Sequence, residues 1–217
     1  GGEPLLYPHI EELLARIKQT GWFEDISMTT NGSLLAPRAA KLKELGLNRV
    51  NISLDSLDSD AFALCVGKAN QLDSVLNGIQ SAIDAGFTSV KINTVLSRHW
   101  TDDEVHDLLT YVETWPVIWR FIEYMPFQGD AFHGPTFDEW KAQLERVSGG
   151  ILTENHDVYG FGPATYYNLP SGKEIGFIFS MSHSYCDTCN RVRLTSDGQM
   201  RLCLLRDDEA DLVSLVR

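Results

Sequence analysis

A chain of 217 residues with 43% apolar and 22% charged residues has a globular balance, which excludes disordered and collagen-like architectures and allows a core without disulfide or metal staples. Asp and Glu total 30 against 18 Lys and Arg, a net charge of −12, which disfavours non-specific binding to nucleic acid or an anionic membrane and requires a local basic cluster for any anionic ligand. No run approaches the roughly 20 apolar residues that span a bilayer, and no basic segment leads into an apolar one, so the sequence reads as soluble and cytoplasmic.

The chain opens on the turn Gly1-Gly2-Glu3-Pro4 rather than on Met, and this reads as the cut end of a longer protein. Ile10, Leu13, Leu14 and Ile17 recur at helical spacing before Gly21. Ile26-Ser27-Met28 predicts a strand ending in Thr29-Thr30-Asn31-Gly32. A helix from Pro37 to Leu45 starts on proline and stops at Gly46. Val50 to Leu54 predicts the next strand, followed by a helix over Leu72–Ala85 with Val75, Ile79 and Ile83 on one face. Val90 to Val95 predicts a third strand, and Thr101-Asp102-Asp103-Glu104 a capping box ahead of Val105, Leu108, Leu109 and Val112. Val117 to Ile122 predicts a fourth strand, ending in Glu123-Tyr124-Met125-Pro126.

Strand–helix–strand alternation at this spacing makes right-handed βαβ units and a parallel sheet. Thr29, Asn31, Ser53, Asp55, Asn93, Thr94 and Glu123 collect where the strands stop, and in barrel-like α/β folds that end carries the active face. Ordinary loop polarity and helix caps explain some of them. The expected fold class is α/β, an incomplete TIM-like βα barrel over residues 1–135 with a smaller C-terminal module over 136–217. That module carries a helix from Phe137 to Val147, a loop-rich stretch through Gly160-Phe161-Gly162-Pro163, short strands near Ala164–Leu169 and Glu174–Phe179, and a last helix over Asp208–Leu215 that stops at Arg217.

Cys65, in an apolar stretch, reads as a small core residue. Cys186, Cys189 and Cys203 form C-x2-C-x13-C. An odd set of thiols in a reducing compartment argues against disulfides and for a metal. With His183 as a fourth ligand the set satisfies a closed zinc site; alternatively, three thiolates on a four-iron cluster leave one iron open to a ligand. Arg191 and Arg193, projecting the same way if extended, favour the second reading, since two fixed cations beside an open metal position suit a polyphosphate. A salt-bridged surface pair is the bland reading of the same arginines.

Gly1-Gly2-Glu3-Pro4-Leu5 resembles the S-adenosylmethionine turn of radical-SAM enzymes. Thr29-Thr30-Asn31-Gly32, Asn51 to Leu57, Val90 to Val95, Arg120 to Met125, Cys186 to Arg193 and Arg201-Leu202-Cys203-Leu204 follow in an order similar to that of the GTP 3′,8-cyclases, the molybdenum cofactor biosynthesis protein A family. The resemblance covers nearly the whole chain. It implies a lyase of molybdenum cofactor biosynthesis and settles the metal as a [4Fe-4S] cluster on Cys186, Cys189 and Cys203.

By the same resemblance, Gly2, Ser53 and Met125 match positions that hold S-adenosylmethionine. Thr29, Lys91, Arg191, Val192 and Arg193 match positions that hold GTP, with Arg120 a further candidate. Lys91 on a barrel strand is costly to bury unpaired, and a phosphate partner accounts for it better than packing does.

The implied chemistry is one-electron cleavage of S-adenosylmethionine to a 5′-deoxyadenosyl radical, abstraction of the ribose 3′ hydrogen of GTP, and attack of the carbon radical on guanine C8. A second [4Fe-4S] cluster, on a C-x3-C-x2-C motif, is expected N-terminal to the glycine turn, and a Gly-Gly tail beyond the C-terminal end. The fragment alone is therefore expected to be inactive. An external electron donor and a homodimer complete the expected partners. The rivals are another radical-SAM enzyme with an auxiliary cluster, such as a peptide-modifying one, and a non-catalytic βα domain with structural zinc.

Overall fold

The computed structural model describes residues 2–67, 71–126, 134–156, 162–203 and 209–216. Strand and helix alternate from the start: α1 (Ile10–Thr20), β1 (Ser27–Thr30), α2 (Ala39–Glu44), β2 (Arg49–Ser53), α3 (Ser59–Val66), α4 (Leu72–Asp84), β3 (Ser89–Val95), α5 (Asp102–Thr114) and β4 (Ile118–Ile122). After α6 (Phe137–Ser148) come β5 (Thr153–Asn155), β6 (Thr165–Asn168) and β7 (Glu174–Ile178). One sheet holds seven strands in the order β1-β2-β3-β4-β7-β6-β5. The first five run parallel, and β6 and β5 turn back antiparallel. The expected parallel βα architecture is present.

The capping box at Thr101 forms as its sequence predicts, and a second forms at Thr136 with Glu139. Alternation along each strand sorts the side chains onto two faces. Val50, Ile52, Ile92, Trp119, Phe121, Ile175 and Phe177 lie on one face and are all but fully buried. There the Phe121 ring meets Trp140 of α6 at 5.2 Å and Phe177 at 6.0 Å. Each such side chain contributes about 1.5–3 kcal/mol by leaving water. Gly78 lets α4 press on the turn after β1, for a Cβ there would sit 2.3 Å from the Gly32 carbonyl oxygen. The opposite face, carrying Thr29, Asn51, Lys91, Asn93, Arg120 and Tyr166, is polar.

The chain divides into two compact units, Gly2–His183 and Ser184–Arg217. The line falls at 183/184 rather than at the expected 135/136, because β7 pairs with β4 and draws α6 and β5–β7 into the larger unit. The smaller unit holds a three-stranded antiparallel sheet of β8 (Arg193–Leu194), β9 (Gln199–Arg201) and β10 (Glu209–Asp211), followed by α7 (Leu212–Val216). Of the helix expected over Asp208–Leu215, residues 209–211 are strand, held by pairing with β9 and by the Arg201–Glu209 ion pair. Residues 1, 160, 161, 204, 208 and 217, which also carried expectations, lie outside the described residues. Cys65 is exposed, not core, since α3 buries only Phe62 and turns its last residues outward. Among the described residues, no helix is long and apolar enough to cross a membrane.

Candidate active site

Several of the polar strand ends have structural work. Asn31 Oδ1 accepts from the backbone N–H and hydroxyl of Ser33. Asp55 accepts from the Val95 N–H at 2.8 Å, and burial pushes its carboxyl up. Thr94 donates to the Leu54 carbonyl and accepts from the Trp119 indole. The buried Glu123 carboxylate receives the N–H of Met181 at 2.6 Å and of Ser182 at 3.1 Å, fixing the turn after β7.

Glu3 does the same at the other edge. It accepts from the Thr30 hydroxyl at 2.6 Å, the Asn31 N–H at 2.7 Å and the Leu5 N–H at 3.0 Å, binding the glycine turn to the end of β1. A Cβ built on Gly2 would meet nothing within 4 Å. Packing among the described residues therefore gives no reason for glycine there. Ser53 ends β2, and Met125 lies half-buried three residues beyond β4.

The cations lie on the polar face. Lys91 is 1% exposed and Arg120 8%. Arg120 donates from Nε to Asn93 Oδ1 and from Nη2 to Asn51 Oδ1, both at 2.9 Å. Asn51 in turn donates to the Thr29 hydroxyl at 3.4 Å. Lys91 Nζ donates to the Tyr166 hydroxyl at 3.2 Å, and the Arg120 charge acts on the same hydroxyl. Burial, then the charges of Arg120 and Arg49, brings the Lys91 pKa down to about 8; Glu174 and Asp25 oppose that shift. Among the described residues, Arg120, Arg49, Glu174 and Asp25 act on the Lys91 ammonium, Arg49 being paired with Asp25, so cations outnumber carboxylates locally in a chain of net charge −12. Cavities of 410 Å³ beside Arg98 and Trp100 and 330 Å³ beside Leu6 and Phe62 lie among the helices, and none of these cations lines either.

In the smaller unit, Cys186 and Cys189 flank one 3-10 turn, with the Cys189 N–H donating to the Cys186 carbonyl at 3.2 Å. Cys203 follows β9. Among the described residues, no three His, Cys, Asp or Glu side chains gather as a metal-holding group, so the three sulfurs are not brought together. Thiols do not attract one another, and convergence depends on a shared metal. As donors they suit one: none is in a disulfide, and hydrogen bonds from the Arg191 backbone and then its guanidinium hold the Cys189 thiol below its usual range. The exposed His183 lies against the Phe137 ring, with centroids 4.8 Å apart.

Arg191 is half-buried, with its guanidinium 5.0 Å from the Tyr185 ring centroid. Burial opposes its charge, but hydrogen bonds to Tyr185 and Cys189 outweigh this and raise its pKa. Val192 and Arg193 are exposed. Sequence reasoning missed Glu3 as an anchor, and Tyr166 and Gly176 altogether. The acidic residue in the glycine turn was the available signal for Glu3; Tyr166 and Gly176 gave none, since only strand pairing brings them to Arg120.

A family model for the radical SAM superfamily matches residues 1–112, and one for molybdenum cofactor synthesis C matches residues 117–217. A protein named GTP 3′,8-cyclase from Trichodesmium erythraeum is 44% identical over 100% of this chain, which covers 68% of that relative. A protein of the same name from Moorella thermoacetica is 40% identical, with the same coverage of each chain. Among solved structures, Streptococcus suis SuiB bound to S-adenosylmethionine matches with a TM-score of 0.68 at 14% identity, covering 99% of this chain and 51% of that one. A domain of pyruvate-formate lyase-activating enzyme from Bacteroides vulgatus matches with a TM-score of 0.52 at 19% identity, covering 69% and 90%. At such identities the two structures speak for the fold alone.

Proposed function

The chain belongs to the GTP 3′,8-cyclase family of radical-SAM proteins, and from that premise we propose that its parent protein cyclises GTP to (8S)-3′,8-cyclo-7,8-dihydroguanosine 5′-triphosphate, the first step of molybdenum cofactor biosynthesis. The observation that carries the reading is the pair of nearly buried cations, Lys91 and Arg120, on the polar face of the sheet. Two cations brought side by side on one polar face suit an anion that both can bind.

Lys91 and Arg120 bind phosphate oxygens, and Thr29 supplies a hydroxyl at the end of β1. Arg191 and Arg193 bring further guanidinium groups to GTP, and the backbone at Val192 fixes the spacing between them. Gly2, Ser53 and Met125 hold S-adenosylmethionine: an uncovered backbone, a hydroxyl and a soft apolar contact. Glu3 keeps the glycine turn that carries Gly2 in place. Cys186, Cys189 and Cys203 hold an auxiliary [4Fe-4S] cluster, which suits three cysteines outside any disulfide and the lowered thiol of Cys189. Iron–sulfur and S-adenosylmethionine chemistry supplies the one-electron step at the ribose. The protein's own part is to place that ribose and exclude water, the positioning that makes such chemistry selective. An external reductant and a second copy of the chain complete the proposed partners.

Anaerobic incubation of the full-length protein, loaded with iron and sulfide, with GTP, S-adenosylmethionine and a strong reductant tests this reading. Cyclised GTP and 5′-deoxyadenosine should accumulate together. Release of 5′-deoxyadenosine with GTP recovered intact would overturn it in favour of another radical-SAM reaction.

A further inference from the structure

We propose that Tyr166 is a positioning residue for the phosphate-binding pair: its hydroxyl holds the Lys91 ammonium beside Arg120 without consuming the charge of either. The inference rests on the reading of this face as the GTP site. Lys91 stands on β3, Arg120 on β4 and Tyr166 on β6, and β7 lies between the last two. Tyr166 reaches across because β7 offers Gly176 opposite both neighbours, in register with Arg120 on one side and Tyr166 on the other. A Cβ on Gly176 would lie 2.9 Å from Arg120 Cγ and 3.0 Å from Tyr166 Cε1, closer than side chains pack. The missing side chain is the space in which the two meet.

The two cations differ in how they are held. The Arg120 guanidinium is planar and fixed by Asn93 and Asn51. The Lys91 ammonium sits on a flexible stem and donates to Tyr166 at 3.2 Å. A carboxylate in place of the phenol would pair with the ammonium and neutralise it. Tyr166 does not, because burial pushes its pKa up and the hydroxyl stays neutral. A neutral oxygen thus helps to direct the ammonium beside the guanidinium and leaves both charges for a phosphate to share.

The test compares Tyr166→Phe, Gly176→Ala and Lys91→Met in the cluster-loaded protein, with GTP affinity measured by calorimetry across pH and S-adenosylmethionine affinity measured beside it. Tyr166→Phe keeps the ring and removes the acceptor of the Lys91 ammonium. Its GTP dissociation constant should rise roughly tenfold, the scale of a hydrogen bond to a charged group, with S-adenosylmethionine affinity unchanged. A merely structural role would leave the pH profile in place. Loss of an acceptor for the ammonium should instead move the loss of GTP affinity to lower pH. Among the described residues, the other charges facing Lys91 are Arg49 on β2, Arg120 on β4, Glu174 on β7 and Asp25 before β1, and the change leaves them in place. Gly176→Ala should weaken GTP binding from the opposite side of the same contact. If Lys91→Met weakens binding while Tyr166→Phe and Gly176→Ala bind GTP with the wild-type affinity and pH profile, the role of Tyr166 is overturned and the site stands. If Lys91→Met also binds GTP as the wild type does, the site falls, and this inference with it.

Discussion

Residues Gly2–His183 and Ser184–Arg217 reach order by different means. In the larger unit one face of a seven-stranded sheet is packed with rings and aliphatic side chains at nearly zero exposure, and the polar face opposite is held to it through the same strands. In the smaller unit none of the described residues is buried, and Val192, Leu194 and Leu202 are 60–70% exposed. So short a segment without a core gains little from apolar burial. Its visible ties are a small sheet, the Tyr185–Arg191 contact and the turn between Cys186 and Cys189. A binding face built on a packed sheet is preorganised by the fold, whereas a ligand set on a coreless segment is organised by what it binds.

Breaking that contrast should produce its largest effect in the smaller unit. Cys203→Ser is expected to abolish loading of the auxiliary cluster and leave residues 184–216 open to protease while the larger unit resists. Iron analysis combined with limited proteolysis reads both, and full iron retention would remove Cys203 from the ligand set. Next in size, Phe121→Ala in the larger unit should cost about 3–5 kcal/mol in denaturant unfolding. Leu202→Ala, in the smaller unit, should stay within about 0.5 kcal/mol; equal costs would erase the distinction. Smaller still, Glu3→Gln leaves one of three donors without its carboxylate acceptor. It should cost about 1–2 kcal/mol and weaken S-adenosylmethionine binding several-fold by loosening the glycine turn; GTP affinity serves as the control.

What the sequence disclosed follows from how local each feature is. The strands β1–β4 were legible because apolar runs bounded by turn residues are local patterns, as was the capping box at Thr101. Lys91 and Arg120 stood out because a charge inside an apolar strand demands a partner. The pairing of β7 with β4 was not legible, and neither was the antiparallel hold of β10 on β9, since each depends on contacts between distant segments. The compact unit that runs on to His183 was therefore not foreseen, and the acidic run at Glu209–Asp211 read as helix. Tyr166 and Gly176 were hidden for the same reason. The cysteine spacing named donors suited to a metal, but spacing alone does not gather sulfurs.

The most direct test of the central claim, that the buried cations of the polar face receive the triphosphate, is GTP affinity measured between about pH 7 and about pH 9.5 in the wild type and in Lys91→Met. Lys91 titrates near 8 in the folded protein against an ordinary 10.5. Its charge is therefore present at the lower end and lost at the upper, while stability should rise between about pH 8 and 10.5 because the unfolded chain keeps the proton longer. Wild-type affinity should fall roughly tenfold or more across the range, and the variant's affinity should start lower and change little. Parallel profiles for the two proteins, or equal affinities at the lower pH, would contradict the assignment of GTP to this face.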